Sequence, residues 1–173
     1  MDEEKKKKLT EEKKAAFLKD VLAKTYAGIA ELNEEDAYKV LRKSCLACNS
    51  SAKSFMSKNY GYDFSKPDLD KYLAAEEKME KAARDDRSTL TREGNTVTLE
   101  APFHECICPL VLYKIVEPFP NLCLCGIDWG KIMLGEASGK PVKSAKLVDS
   151  VNRGGKSCRF RYELDPTWQD KKK

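Results

Sequence analysis

The 173-residue sequence contains a single histidine, His104, and no long apolar segment. One histidine excludes metal sites that need two or three histidines, including the His-rich catalytic zinc sites. No hydrophobic run approaches the roughly 18 residues of a membrane-spanning helix, and the charged start of the chain lacks the apolar core of a secretory signal. The sequence therefore predicts a cytoplasmic protein that does not span a membrane.

Two catalytic signatures are also missing. The chain has no glycine-rich phosphate-binding loop of the usual kinds and no nucleophile elbow, which argues against the enzyme classes that those motifs mark. The net charge of +4 does not indicate a nucleic-acid-binding face either, because the excess of lysine lies in residues 1–14 and in the final three residues. The part of the chain between them is neutral, whereas a nucleic-acid-binding protein carries its positive charge on a folded surface.

The sequence contains seven cysteines, compared with that single histidine. An odd number cannot pair completely within the chain, and without an export signal we expect the thiols to be reduced. Reduced cysteines in this number indicate metal, redox or nucleophilic chemistry rather than a disulfide scaffold.

Apolar spacing predicts an α+β fold in which N-terminal helices precede an antiparallel sheet of about four strands packed around a crossover helix. The predicted helices cover residues 10–32, 34–60, 67–84 and 126–138, and the predicted hairpins cover 88–102 and 140–164. The predicted organisation is a disordered charged lead-in (1–9), a helical part (10–85), a cysteine-rich α+β part of the same domain (86–168) and a basic tail (169–173).

Two Cys-x-Cys motifs form the sharpest pattern, Cys106 with Cys108 and Cys123 with Cys125. Alternate residues of an extended chain point in the same direction, so each motif is expected to present both sulfurs on one face. Four thiolates close together can hold zinc in a tetrahedral site or bind an iron–sulfur cluster. The alternatives are a buried cysteine patch without a ligand and a catalytic thiol.

Three further cysteines are alternate ligands. Cys45 and Cys48 lie one helical turn apart on one face of a predicted helix, where they are core residues, metal ligands or a redox pair. Cys158 lies on the last predicted strand, and its sulfur joins the group if that strand pairs beside the strand that leads to Cys106. His104 is two residues before Cys106, a position that suits a fourth ligand or a base that activates a thiol.

The helix after Cys125 carries two candidate ligand-binding residues, Asp128 and Trp129. Trp129 is placed to line a small-molecule pocket, and Asp128 to orient a polar group beside it. The alternative for the tryptophan is a core position, the commoner environment of this residue type.

The segment 106–164 resembles two related families, the 4-vinyl-reductase-type small-molecule-binding domain and the L-2-amino-thiazoline-4-carboxylic acid hydrolase-like family. The shared motifs are Cys108-Pro109 before a short helix, Cys125-Gly126 at a helix start, Gly135 late in that helix, and Gly155-x-x-Cys158-x-Phe160 in the last hairpin. The resemblance implies an α+β domain with a small apolar or heterocyclic ligand pocket. It also implies that Cys108, Cys125 and Cys158 meet near this pocket and that some of them hold zinc.

Three functions follow as hypotheses. The first is a ligand-binding or sensor domain with a thiolate zinc site, and the second is a hydrolase of a small sulfur or nitrogen heterocycle. In the hydrolase, an open metal position or the thiolate of Cys108 or Cys125 does the chemistry, with His104 as the base and Asp128 as a polar orienting group. The third is an iron–sulfur redox protein. The expected partners are a small molecule and, through the amphipathic N-terminal helices, a second copy of the chain.

Overall fold

The computed structural model describes residues 2–84, 89–101, 106 and 108–166. Its helices are α1 (Glu3–Ala30), α2 (Glu34–Tyr60), α3 (Leu69–Arg84), α4 (Pro109–Leu112) and α5 (Cys125–Ser138). Its strands are β1 (Thr89–Glu93), β2 (Thr96–Ala101), β3 (Val142–Asp149) and β4 (Cys158–Leu164). The predicted α+β class, with N-terminal helices before a four-stranded antiparallel sheet, is confirmed.

The first helix begins earlier than the sequence analysis predicted. Residues 1–9 were expected to be a disordered lead-in, but α1 starts at Glu3 and Asp2 caps it. Lysine and glutamate are good helix formers, and acidic residues in the first turn complement the positive helix end. Thr10, the predicted cap, lies inside α1, where its hydroxyl donates to the carbonyl of Lys6 at 2.9 Å.

The longest helices are α1 with 28 residues and α2 with 27. The boundaries of α2 follow the sequence signals: the Asn33 side chain accepts a hydrogen bond from the Asp36 backbone N–H at 3.0 Å, and Gly61 ends the helix at φ +68°.

Among the residues that the structure describes, no helix is both long and apolar enough to cross a membrane.

Only the end of α1 packs against the rest of the chain. Tyr26 and Ile29 are buried, whereas Phe17 is 66% exposed and Leu18 is 58% exposed. Single exposed apolar residues are normal on protein surfaces, but two bulky neighbours on one helix leave an apolar area in contact with water.

The sheet has the order β1-β2-β4-β3, with every neighbouring pair antiparallel. The turn between β1 and β2 contains Gly94 at φ +59°, as two-residue hairpin turns prefer. β2 also pairs with β4, with Ala101 opposite Cys158. β2 is the strand that precedes Cys106 in the sequence. The pairing therefore brings Cys158, the first residue of β4, to the end of β2 that is nearer to Cys106 in the sequence.

Helix α5 lies directly on β4 because two of its residues are glycines. A Cβ atom on Gly126 would lie 2.6 Å from the ring of Phe160, and one on Gly130 would lie 2.1 Å from the ring of Tyr162. The Tyr162 hydroxyl also donates to the carbonyl of Gly126 at 2.9 Å. This close approach fixes the start of α5 relative to the start of β4.

The buried apolar side chains form two clusters. The first lies between the sheet, α3 and α5, and includes Tyr72, Val97, Met133 and Tyr162. The second joins the end of α1 and the start of α2 to the segment before α5, and includes Tyr26, Leu41, Cys106 and Leu122. Cys123 packs against the first cluster, while Cys108 and Cys125 pack against the second. The cysteines therefore lie where the two clusters meet.

Candidate thiol site

All seven cysteines are free thiols, and they lie in two groups. The first thiol group consists of Cys106, Cys123 and Cys158, which lie close enough to alter one another's pKa. The second thiol group consists of Cys45, Cys48, Cys108 and Cys125, which lie within electrostatic reach of one another.

Cys123 is the centre of the first thiol group. Its thiol affects the pKa of both Cys106 and Cys158, and it shares the Asn152 side-chain amide with Cys106. Cys123 belongs to a short 3₁₀ turn (Leu122–Leu124) just before α5, and Cys158 is the first residue of β4. Cys106 and Cys158 are buried and Cys123 is half-buried, so the group lies at the edge of the core.

Side chains of the β3–β4 loop donate hydrogen bonds to these sulfurs. The Ser150 hydroxyl donates to Cys123 Sγ at 3.3 Å. The Asn152 side-chain amide reaches both Cys106 Sγ and Cys123 Sγ, each at 3.4 Å. Donors directed at sulfur stabilise the negatively charged thiolate.

Backbone groups add to this arrangement. The Val151 backbone is hydrogen-bonded to the Cys158 sulfur, and the Cys108 backbone is hydrogen-bonded to the Cys106 sulfur. Each sulfur of the first thiol group is therefore an acceptor of at least one N–H or O–H group.

These contacts alter the acidity of the group. The hydrogen bond from Cys123 lowers the pKa of Cys106 to about 6, against the effect of burial. The same thiol lowers the pKa of Cys158 to about 7, while its two sulfur neighbours raise the pKa of Cys123 itself. The pKa values within the group therefore shift in opposite directions: those of Cys106 and Cys158 fall, and that of Cys123 rises.

The loop that supplies the donors is held by Asp149. Its carboxylate accepts hydrogen bonds from the backbone N–H of Ser150 at 2.9 Å and of Lys156 at 3.3 Å. A Cβ atom on Gly155 would lie 1.7 Å from the same carboxylate. Glycine at this position therefore lets the chain fold tightly around Asp149 and keeps Ser150 next to the sulfurs.

Two thiols of the second thiol group, Cys45 and Cys125, have the opposite hydrogen-bond polarity. Cys45 Sγ donates to the carbonyl of Arg42 at 2.8 Å, and Cys125 Sγ donates to the carbonyl of Leu122 at 3.4 Å. A thiol that donates to a carbonyl is stabilised in its protonated form.

Burial acts in the same direction in this group. It raises the pKa of Cys125 to about 12, and repulsion by neighbouring thiolates, Cys108 first among them, adds to the effect. Burial also raises the pKa of Cys108 and of Cys45. These three thiols are therefore protonated at neutral pH.

The structure divides the two Cys-x-Cys motifs between the groups, whereas the sequence analysis placed all four sulfurs in one site. Cys123 and Cys125 lie in helical backbone, where residues two apart point about 200° apart, rather than in the expected extended backbone. Cys108 is the N-cap of α4 rather than a residue of a strand. Cys158 does meet Cys106, since β4 pairs with the strand that leads to it.

Ser150 and Asn152 were not predicted as site residues. Ser150 was expected to end a strand, and Asn152 to begin the turn that follows it. Serine and asparagine are common in turns because they bond nearby backbone, as the Ser150 hydroxyl does with the Asn152 N–H at 3.2 Å. The sequence held one signal for their role, because the turn comes shortly before Cys158.

The side chains near the cysteines can be compared with the ligands that a metal ion requires. Within the described part of the chain, no three or more His, Cys, Asp or Glu side chains are arranged to hold a metal ion, and His104 lies outside the described residues. Cys106, Cys123 and Cys158 therefore do not form a metal site in the arrangement described. Their thiols, with N–H and O–H donors around them, have the donor chemistry of zinc, but they would have to move together to bind the ion, which also needs one more ligand to complete four.

Asp128 and Trp129 face different neighbours. Asp128 is buried toward α2, with Oδ2 3.4 Å from Arg42 Nε. Burial, followed by this carboxylate, raises the pKa of Tyr38 to about 12. Trp129 is half-buried against the first apolar cluster, so the two residues do not converge on one ligand.

Two surface pockets are present near these elements. One, of about 380 Å³, lies at the junction of α2 and α3 and is rimmed by lysines. The other, of about 370 Å³, includes Tyr38, Leu124 and Ile127. Neither is lined by a cysteine, by Asp128 or by Trp129, so the ligand pocket that the family resemblance implies stays a prediction.

Comparisons with protein-family models, with curated proteins and with solved structures returned no match. The resemblance of segment 106–164 to the two families named above therefore also stays a prediction. The first thiol group is therefore the feature of the chain from which a function can be inferred.

Proposed function

We propose that the protein is a small metal-binding sensor domain that holds one zinc ion through Cys106, Cys123 and Cys158. The observation that supports this most strongly is the direction of the hydrogen bonds. Ser150 and Asn152 donate to sulfur at 3.3–3.4 Å. Such donors orient thiolate ligands and spread their negative charge when a cation binds between them.

Three sulfur ligands leave the fourth position of a tetrahedral zinc ion open. Closed four-ligand sites are structural, whereas an open position accepts water or a small ligand. A sensor needs such a position. His104 remains a candidate for it, two residues before Cys106 in the sequence.

The alternative functions have less support. A hydrolase that uses Cys108 or Cys125 as nucleophile needs a thiolate, but burial raises the pKa of both groups. An iron–sulfur cluster of the common types takes four cysteine ligands, and the first thiol group supplies three. Zinc therefore suits the group better than either alternative.

Self-association through α1 is a second part of the proposal. The bulky side chains of Phe17, Leu18, Val21 and Leu22 are each more than one-third exposed. They lie on two adjacent turns of α1, and pairing with a second copy of the helix would remove them from water. The partner proposed here is a second copy of the chain, and the small-molecule partner is the ligand of the open zinc position.

Zinc analysis of the purified, reduced chain tests the proposed function. We expect one zinc ion per chain that resists a weak chelator, and loss of that ion in Cys123→Ser. Cys48→Ser is the matched control, because it makes the same atomic change in an exposed thiol of the second group. A wild-type chain that takes up no zinc, or a Cys123→Ser chain that keeps it, would overturn the proposal.

A further inference from the structure

We propose that the pocket at the junction of α2 and α3 binds a small organic anion that carries an aromatic ring. The pocket has a volume of about 380 Å³, at the small end of the range of ligand pockets and sufficient for one substituted ring. No cysteine lines it, so the proposal is independent of zinc binding by the first thiol group.

One wall of the pocket is the turn after α2, and Tyr62 fixes this turn. Gly61 ends α2 at φ +68°, which lets the chain leave the helix. The Tyr62 hydroxyl accepts a hydrogen bond from the Asp68 backbone N–H at 3.2 Å and donates to the carbonyl of Ala137 at 3.3 Å. The Tyr62 carbonyl accepts a hydrogen bond from the Ser57 hydroxyl at 2.8 Å. These contacts within the chain hold the wall in place, so binding needs little rearrangement.

The opposite wall is one face of α3. Lys71, Ala74, Ala75 and Lys78 line the pocket, at the three-, four- and seven-residue spacings that align side chains along one side of a helix. Alanine side chains are short, so the pocket stays open between the two lysines. Their methyl groups and the ring of Tyr60, which also lines the pocket, offer apolar contacts to an aromatic ring.

The charge of the lining favours an anion. Three lysines and one acid, Asp63, line the pocket, so the net charge of its lining is +2. The Asp63 carboxylate is already engaged, because it accepts hydrogen bonds from the Ser65 backbone N–H at 3.0 Å and from the Ser65 hydroxyl at 2.6 Å. An anionic ligand therefore meets more positive than negative charge at this site.

Lys78 differs from the other two lysines of the pocket. Lys66 Nζ lies 3.4 Å from the Asp63 carboxylate, and Lys71 Nζ lies 2.9 Å from that of Asp68. Lys78 has no acidic partner among the residues that the structure describes. Its ammonium group is therefore the donor that we assign to the carboxylate or phosphate oxygens of the ligand.

The experiment titrates the full, metal-free chain with phenyl phosphate and follows the backbone amide signals by NMR. We expect saturable shifts at residues 60–66 and 71–78, with a dissociation constant of about 1 mM for a ligand of this size. In Ala74→Leu the larger side chain should fill the pocket and abolish these shifts. Ala82→Leu is the matched control, because it makes the same change at an exposed alanine of α3 outside the pocket.

A second pair of variants tests the charge. Lys78→Gln should weaken binding by about 2- to 5-fold, the effect expected of one exposed ion pair. Lys43→Gln changes the net charge equally at an exposed lysine of α2 outside the pocket, and it should bind phenyl phosphate as the wild type does. Equal weakening in both lysine variants would contradict the assignment of Lys78.

Two further probes separate the ring from the charge. Inorganic phosphate and benzyl alcohol should each bind more weakly than phenyl phosphate, because each offers only one of the two features. Equal binding of inorganic phosphate would overturn the need for a ring, and equal binding of benzyl alcohol the need for an anion. The proposal fails if phenyl phosphate produces no saturable shifts, or if Ala74→Leu binds it as well as Ala82→Leu does.

Discussion

The first and second thiol groups contain the same side chain, but their hydrogen bonds run in opposite directions. In the first, Cys123 Sγ accepts from the Ser150 hydroxyl at 3.3 Å. In the second, Cys45 Sγ donates to the carbonyl of Arg42 at 2.8 Å. The comparison teaches that the surroundings of the sulfur, rather than the number of cysteines, decide whether its thiolate or its protonated form is stabilised.

The difference has its origin in local backbone structure. Inside a helix the backbone N–H groups are occupied, so a cysteine such as Cys45 finds a carbonyl of the preceding turn as its partner. In the β3–β4 loop, backbone and side-chain donors are not used by a sheet or helix ladder. They are therefore free to face Cys123 and Cys158, which come from other parts of the chain.

The largest expected effect comes from separating α5 from β4, because their contact positions Cys123 beside Cys158. In Gly130→Ala the new methyl group would lie 2.1 Å from the buried ring of Tyr162. Overpacking of this kind costs about 1–3 kcal/mol of unfolding free energy. Denaturant unfolding should detect that loss, and zinc binding by the first thiol group should weaken with it.

Gly28→Ala is the matched control for this substitution. It is also a glycine inside a helix, but no atom lies within 4 Å of its added Cβ. We expect the variant to be unchanged or stabilised by up to about 1 kcal/mol, as helix propensity dictates. Equal stability of the two alanine variants would show that the approach of α5 to β4 is not as close as described.

Much of the fold could be predicted from the sequence because its signals are local. Asn33 and Gly61 mark the ends of α2, and Gly94 marks the first hairpin turn. The early start of α1 was missed because a run of lysine and glutamate fits a solvated tail as well as an exposed helix. Only the summed helix propensity and the Asp2 cap decide between them.

The candidate site could be predicted only in part, because it is built from distant segments. The sequence indicated that Cys106 and Cys123 belong together, and that Cys158 joins them if β4 pairs beside the preceding strand. It could not indicate that Cys125 faces away, since that depends on a 3₁₀ turn before α5 rather than on extended chain. Nor could it place Asn152, which reaches its sulfurs only through the hairpin geometry.

The second prediction concerns the substitution Asn152→Ala, which removes the side-chain amide that donates to the first thiol group. In Asn152→Ala, Cys106 loses a donor that stabilises its thiolate, so its pKa should rise from about 6 toward the ordinary thiol value. The rise should be small, because Asn152 is the weakest of the contacts that lower this pKa, after Cys123 and the Cys108 backbone. The ultraviolet absorbance of thiolate in metal-free, reduced protein should therefore appear at higher pH, with less thiolate at pH values near 7.

Asn59→Ala provides the control for that titration. Asn59 is an exposed asparagine of α2 whose side chain donates to the carbonyl of Phe55 at 3.0 Å. Its removal should leave the thiolate titration unchanged. If the Asn152 and Asn59 variants titrate alike, the amide of Asn152 does not act on the sulfurs, and the contrast between the thiol groups loses its main support.

The smallest expected effect comes from the neighbourhood of the second thiol group. Asp128→Asn removes the charge that pairs with Arg42 at 3.4 Å and Lys131 at 3.7 Å. Because both cations are partly exposed, we expect a loss of only about 1 kcal/mol of unfolding free energy. The pKa of Cys45 should fall slightly, since Asp128 raises it after burial, the larger cause.

Glu136→Gln completes this comparison, because it removes another carboxylate of α5 that pairs with α2, through Lys53 at 2.9 Å. That pair is more exposed, so its loss should cost less than the loss of Asp128. Both variants should bind zinc as the wild type does, since neither carboxylate contacts the first thiol group. Loss of zinc in Asp128→Asn but not in Glu136→Gln would mean that the two thiol groups form one connected site, with Asp128 acting on both.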